Sequence, residues 1–118
     1  MAIPVSEKDD DVMNAQMLKG LLEGCILQVI KGNETYGYQI CEDLVRGGFA
    51  DVNEGTVYPI LIRLEKRGFI RGERKDSPLG PMRKYYALTP EGEDYLDSFA
   101  DSWERTSKAV NRFIKGGS

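Results

Sequence analysis

The stretch "EGTVYPILIRLEKRGFI", residues 54–70, decides how the rest of the chain is interpreted. Its apolar residues recur at helical spacing and predict a helix with one buried face, formed by Val57, Ile60, Leu61 and Leu64. Asn53 is a candidate N-cap for this helix, and Gly68 is expected to end it. Yet Gly55 and Pro59 stand near its start, and glycine and proline are the residues least suited to a helix interior.

The face opposite that apolar stripe suits close contact with another molecule. Gly55 has no side chain and Pro59 is compact, and Gly55 lies where a proline ring crowds the carbonyl four residues earlier. A helix N-terminus offers free N–H groups and a positive dipole end to phosphate, and Thr56 and Tyr58 add hydroxyl groups. These features predict a helix that enters the major groove of DNA. The alternative is an imperfect surface helix.

Two helices are predicted before this one. The first has an amphipathic stripe of Leu18, Leu21, Leu22, Cys25, Ile26, Val29 and Ile30. The second is expected to bury Gly37, Ile40, Cys41, Leu44 and Val45. Thr35 is its candidate N-cap, and Gly47 and Gly48 are expected to stop it.

Two antiparallel strands, "FIRGERK" and "MRKYYALT", are predicted after the third helix, joined by the turn "DSPLGP". A last helix is expected from about Pro90 to Ile114, with Thr89 as its N-cap. The fold class is therefore mainly α with a small β-hairpin: a winged helix-turn-helix with a C-terminal dimerisation helix. We expect a flexible tail over 1–12, the winged-helix DNA-binding domain over 13–88, the dimerisation helix over 89–115 and a tail over 116–118.

The last helix carries a heptad seam at spacings of 3, 4, 3, 4 and 3, formed by Leu96, Phe99, Trp103, Thr106, Val110 and Phe113. Packing within the chain is one explanation. We favour a second copy of the chain, because an exposed apolar seam is unfavourable in water.

Charge is unevenly distributed along the chain. The net charge is −3, but residues 54–88 contain eight basic and four acidic residues. A basic segment is the electrostatic signature of nucleic-acid binding, although a solvated surface can also look like this. The chain has no histidine and two cysteines, so no metal or cofactor site and no enzyme activity are expected. The two cysteines are expected to be buried, reduced thiols, with a redox switch or disulfide as the alternative.

No apolar run is long enough to span a bilayer, and the N-terminus lacks the pattern of a signal peptide. The expected location is therefore the cytoplasm.

Three motifs in this order and spacing resemble the PadR family of bacterial transcriptional regulators: "YGYQI" at Tyr36–Ile40, the 54–70 stretch, and "RKYYALTPEG" at Arg83–Gly92. The resemblance covers roughly residues 17–113. "SWERTSK", at Ser102–Lys108, is similar to the tryptophan-bearing stretch of a small branch with a single C-terminal helix, which includes multidrug-sensing repressors.

The resemblance implies a homodimeric repressor that binds a double-stranded DNA operator. The third helix would be the recognition helix, Arg83 and Lys84 would belong to the wing, and the last helix with the first would form the dimer. Trp103 would bind a planar hydrophobic small molecule, unless it only packs in the seam. The predicted DNA-binding set is Tyr36, Tyr38, Asn53, Gly55, Thr56, Tyr58, Pro59, Arg63, Arg83 and Lys84.

One departure concerns the wing. Many relatives start a wing strand with glycine-arginine, whereas this chain has "GPM" at Gly80–Met82. A winged-helix module that binds proteins and not DNA is the rival interpretation of the whole chain.

Overall fold

The computed structural model describes the backbone of residues 7–78 and 80–116, and the side chains of residues 17–116 apart from Ser77 and Leu79. The elements in chain order are α1 (Glu7–Gly32), β1 (Thr35–Tyr36), α2 (Gly37–Arg46), α3 (Glu54–Lys66), β2 (Ile70–Ser77), β3 (Gly80–Leu88) and α4 (Pro90–Ile114). This is a mainly helical winged-helix fold, as predicted.

The first helix is longer than predicted. Its backbone is helical from Glu7, so part of the expected tail over 1–12 belongs to α1. Residues 1–6 and 117–118 of the two expected tails lie outside the described residues. The predicted stripe does face the core, where Leu22, Ile26 and Ile30 are buried.

The sheet has three strands in the order β1-β3-β2, where the sequence predicted only a hairpin. Both pairings are antiparallel, and β1 places Thr35 opposite Tyr86. Thr35 is therefore a strand residue and not the N-cap of α2, so that prediction was wrong. Tyr36 occupies the cap position and makes no side-chain capping hydrogen bond.

The core lies between α1, α2, α3 and the inner face of the sheet. It includes the four predicted residues of α3, together with Ile40 and Leu44 of α2 and Ile70 of β2. Val45 was expected on the buried face of α2 but is 42% exposed. It follows Leu44 by one residue, and a helix turns its side chains by about 100° per residue. The buried face is narrower than the pattern suggested.

The start of α4 is fastened to the end of α3. The Thr89 hydroxyl accepts a hydrogen bond from the Gly92 N–H at 3.0 Å and donates one to the Gly68 carbonyl at 2.6 Å. The predicted N-cap and the predicted bounds of α4 are confirmed. Within the described residues, no helix is long and apolar enough to cross a membrane.

Candidate nucleic-acid interface

The N-terminus of α3 is held by a side-chain cap. Asn53 has an extended backbone, and its Oδ1 accepts a hydrogen bond from the Thr56 N–H at 3.2 Å. This confirms the predicted cap and satisfies one of the free N–H groups of the first turn. The N-terminus of α3 carries the partial positive charge of the helix dipole.

Gly55 and Pro59 are both exposed on α3, as expected of its outer face. A Cβ on Gly55 would lie 3.1 Å from Asn53 Oδ1, so the capping oxygen would have to shift slightly to accommodate it. The glycine therefore leaves room for the capping oxygen, and its lack of a side chain keeps the outer face of α3 flat. Ile62, one turn further along, is 58% exposed on the same side of the helix.

Tyr58 connects α3 to α2. A Cβ on Gly37 would lie 2.8 Å from the Tyr58 Cζ and Oη atoms, so the ring packs directly on the glycine backbone. Tyr58 nevertheless stays 43% exposed. Partial burial, followed by the nearby Glu54 carboxylate, raises the pKa of Tyr58 above its ordinary value. The phenol is therefore neutral at physiological pH and can both donate and accept hydrogen bonds.

The structure brings five of the predicted DNA-binding residues around one open cavity of about 230 Å³ between α2, α3 and β3. These five are Tyr36, Tyr38, Tyr58, Arg83 and Lys84. Gly37, Met82 and Tyr86 complete the lining. Tyr38 is 55% exposed, and the neighbouring Glu42 carboxylate raises its pKa. The cavity thus combines neutral phenols with two cationic groups, a suitable set for a phosphate backbone.

The two cationic groups of the cavity are held in different ways. The Arg83 guanidinium lies 4.3 Å from the centre of the Tyr36 ring, and that ring packs edge-on against Tyr85 at 5.4 Å. The Lys84 Nζ is 2.9 Å from Glu65 Oε1, and this hydrogen bond raises the pKa of Lys84. Part of the positive charge of the wing is therefore balanced by an acid on α3.

The Arg63 side chain does not extend from the outer face of α3, where the sequence placed it. Its Nη2 and Nε lie 3.0 Å and 3.1 Å from Glu23 Oε2, so the side chain is directed toward α1. The helical wheel put Arg63 beside the outer face, and an acid on another helix draws it away. Glu23 was missed because it is forty residues from Arg63 and no local pattern connects the two.

The predicted dimer seam divides into two parts. Leu96 is 5% exposed in the core of its own chain, so its assignment to a seam with a partner is corrected. Phe99 is half-buried and packs on Gly24 of α1, where there is no space for a Cβ. Beyond it, Trp103 is 48% exposed, Val110 47% and Phe113 89%. Thr106 is exposed too. The heptad pattern therefore continues past the part that the chain itself covers.

Comparison with known proteins agrees with this geometry. The model of the Transcriptional regulator PadR-like family matches residues 26–98. A transcriptional regulator of Mycobacterium tuberculosis is 33% identical over 85 residues, which are 72% of this chain and 78% of that protein.

Two solved structures are also similar. A PadR-like transcriptional regulator from Bacillus cereus is 47% identical with a TM-score of 0.76, over 84% of this chain and 96% of that one. A Streptococcus transcriptional regulator is 43% identical with a TM-score of 0.76, over 84% and 97% of the two chains.

Proposed function

Because the chain belongs to the PadR-like family of transcriptional regulators, we propose that it is a homodimeric repressor that binds a palindromic DNA operator in the cytoplasm. A planar hydrophobic molecule at the dimer interface would release it from DNA. No catalytic step is part of this function.

The observation that carries the proposal is the shared cavity at the start of α3. The phenols of Tyr38 and Tyr58 and the cationic groups of Arg83 and Lys84 lie around one opening. Tyr58 belongs to the same helix whose N-terminus is capped by Asn53. A recognition helix in the major groove places its first turns on base edges, and the wing beside it reaches the adjacent backbone. Gly55, Pro59 and the exposed Ile62 leave the outer face of α3 apolar and low, which favours close approach to bases and contact with thymine methyl groups.

The dimer is supported by α4. Its last three turns expose Val110 and Phe113, in continuation of a seam whose first two members, Leu96 and Phe99, are buried and half-buried in the chain. A second copy can cover this apolar surface symmetrically. Two α3 helices about 34 Å apart would then meet successive major grooves on one side of the duplex.

The ligand site is proposed at Trp103, the single tryptophan of the chain. Its ring is half-exposed on the same seam, so two such rings would approach each other across the dimer. Flat aromatic faces suit planar apolar molecules. A ligand that binds the released form more tightly shifts the equilibrium away from DNA.

The DNA-binding role is tested with Thr56→Ala combined with Tyr58→Phe, which removes two hydroxyls but retains the packing of the ring on Gly37. Tyr85→Phe is the matched control, since Tyr85 does not line the cavity. We expect affinity for an operator duplex to fall about tenfold or more in the first variant, as expected for lost contacts of 1–3 kcal/mol, and to stay unchanged in the control.

Equal affinity in both variants would remove these hydroxyls from the interface. A wild-type protein that binds no duplex at any salt concentration would favour the protein-interaction module, because phosphate contacts make DNA binding strongly salt-dependent.

A further inference from the structure

A cluster of charged and aromatic side chains lies where the C-terminal end of α3 meets α1 and the start of α4. Glu23 of α1, which is only 12% exposed, accepts from Arg63 and lies 3.7 Å from Arg67 Nη1. Its other oxygen, Oε1, accepts a hydrogen bond from the Tyr95 hydroxyl at 3.2 Å. One carboxylate of α1 therefore holds the end of α3 and the start of α4 together.

Aromatic rings complete this arrangement, which we call the Glu23 cluster: Glu23, Arg63, Arg67, Phe69 and Tyr95. Phe69 and Tyr95 stack with their centres 4.3 Å apart and their planes 15° from parallel. The Arg67 guanidinium lies 4.8 Å and 5.0 Å from the two ring centres. The guanidinium thus has the carboxylate and both rings as neighbours, which limits how far it can move.

The position of the cluster in the fold gives it a specific role. On one side it is anchored in α1 and α4, which also meet one residue away through Gly24 and Phe99. On the other side it binds Arg63 of α3 and Arg67, the C-cap residue of that helix. A partly buried ion pair of this kind contributes little net stability, but it can specify one geometry among several of similar energy.

We propose that Glu23 is a positioning residue that sets the spacing of the two half-sites which the dimer accepts. This rests on the proposed function, in which α4 and α1 form the dimer and α3 reads DNA. The distance between the two α3 helices then depends on how each one sits on its own α1 and α4. Glu23 connects α1 to both α3 and α4, because it binds Arg63 of α3 and Tyr95 of α4.

The test uses Glu23→Gln, which keeps the shape of the side chain and removes its charge. Half-sites are recovered by selecting random duplexes with the wild-type protein. Each selected half-site is then placed in a duplex that contains a single copy. It is also placed in duplexes that contain two copies, separated by the selected spacing or by one base pair more or less. One base pair changes the separation by about 3.4 Å and rotates the second half-site by roughly one tenth of a turn.

Wild-type protein is expected to lose about tenfold in affinity for each base pair of altered spacing, comparable to a mismatched base pair. In Glu23→Gln this loss is expected to shrink below about threefold, while affinity for the single half-site stays within about twofold of wild type. A merely structural role would lower affinity for all duplexes alike and leave the spacing preference unchanged.

Glu65→Gln is the matched control. Glu65 is also a half-buried acid between elements, but it binds Lys84 and the Gly72 N–H of the wing. It has no partner among the side chains of α1 and α4 that the structure describes. It is expected to retain the spacing preference of the wild type. Tyr95→Phe removes only one hydrogen bond of the Glu23 cluster and should give a partial loss of the preference.

An unchanged spacing preference in Glu23→Gln would overturn the proposal. If that variant is unfolded by circular dichroism, an unchanged preference in Tyr95→Phe overturns it instead. If the wild-type protein selects no duplex, the proposed function itself is overturned. If the wild type and the variants bind DNA with the same spacing preference, only the role of Glu23 is overturned.

Discussion

Phe113 offers a direct test of the dimer, because it is 89% exposed and contributes almost nothing to its own chain's core. Full burial of a phenylalanine side chain stabilises a folded protein or an interface by about 1.5–3 kcal/mol. If a partner covers about half of that surface, Phe113→Ala costs roughly 0.8–1.5 kcal/mol per chain and about 1.5–3 kcal/mol per dimer. The dimer dissociation constant should therefore rise by roughly 10-fold to 150-fold.

The assay is sedimentation equilibrium over a range of protein concentrations, with circular dichroism to confirm that the helical content is unchanged. Lys108→Ala is the control, since Lys108 lies on the opposite face of α4 and pairs with Glu104 one turn away. We expect that control to dimerise like the wild type. A monomeric wild type, or equal dissociation constants for the two variants, would refute the assignment of the α4 seam to a partner chain.

Three further predictions concern the chain itself. Asn53→Ala should destabilise the protein by about 1 kcal/mol in urea unfolding through loss of the α3 cap, whereas Asn53→Asp should not; equal stability of the two would remove the capping role. Gly37→Ala puts a Cβ 2.8 Å from Tyr58 Cζ, so operator affinity should fall by about tenfold. Gly20→Ala, which meets open space, should leave affinity unchanged, and equal losses would contradict the reasoning. Burial raises the pKa of Cys41, so at pH 8 less of it is thiolate, and an aromatic disulfide reagent should label it about tenfold more slowly in native than in urea-unfolded protein; equal rates would show that the thiol is accessible.

The sequence predicted the parts of the fold that depend on local signals. The Asn53 cap, the apolar spacing of α3 and the Thr89-Pro90 start of α4 each act within one or two turns, and all three are confirmed. The two-residue strand β1 was missed because so short a segment has no periodicity of its own. It is a strand only because Tyr85 and Tyr86 of β3 lie beside it.

Contacts between side chains that are far apart in the sequence were harder to predict. Arg63 faced outward on a helical wheel, but the position of Glu23 on α1 reverses that assignment. Leu96 fits the heptad seam as well as Phe113 does, and a heptad pattern does not distinguish a helix of the same chain from a helix of a partner. Both corrections come from the tertiary packing of α1 against the helices that follow it.

The central claim, sequence-specific DNA binding, is tested most directly by a fluorescence-anisotropy titration. Labelled duplexes tiled across the DNA upstream of the protein's own gene are titrated at two salt concentrations, with a random duplex as reference. We predict tight binding to one tile, weak binding to the others, and a steep loss of affinity at the higher salt concentration. Absence of binding to every duplex at both salt concentrations would contradict the account.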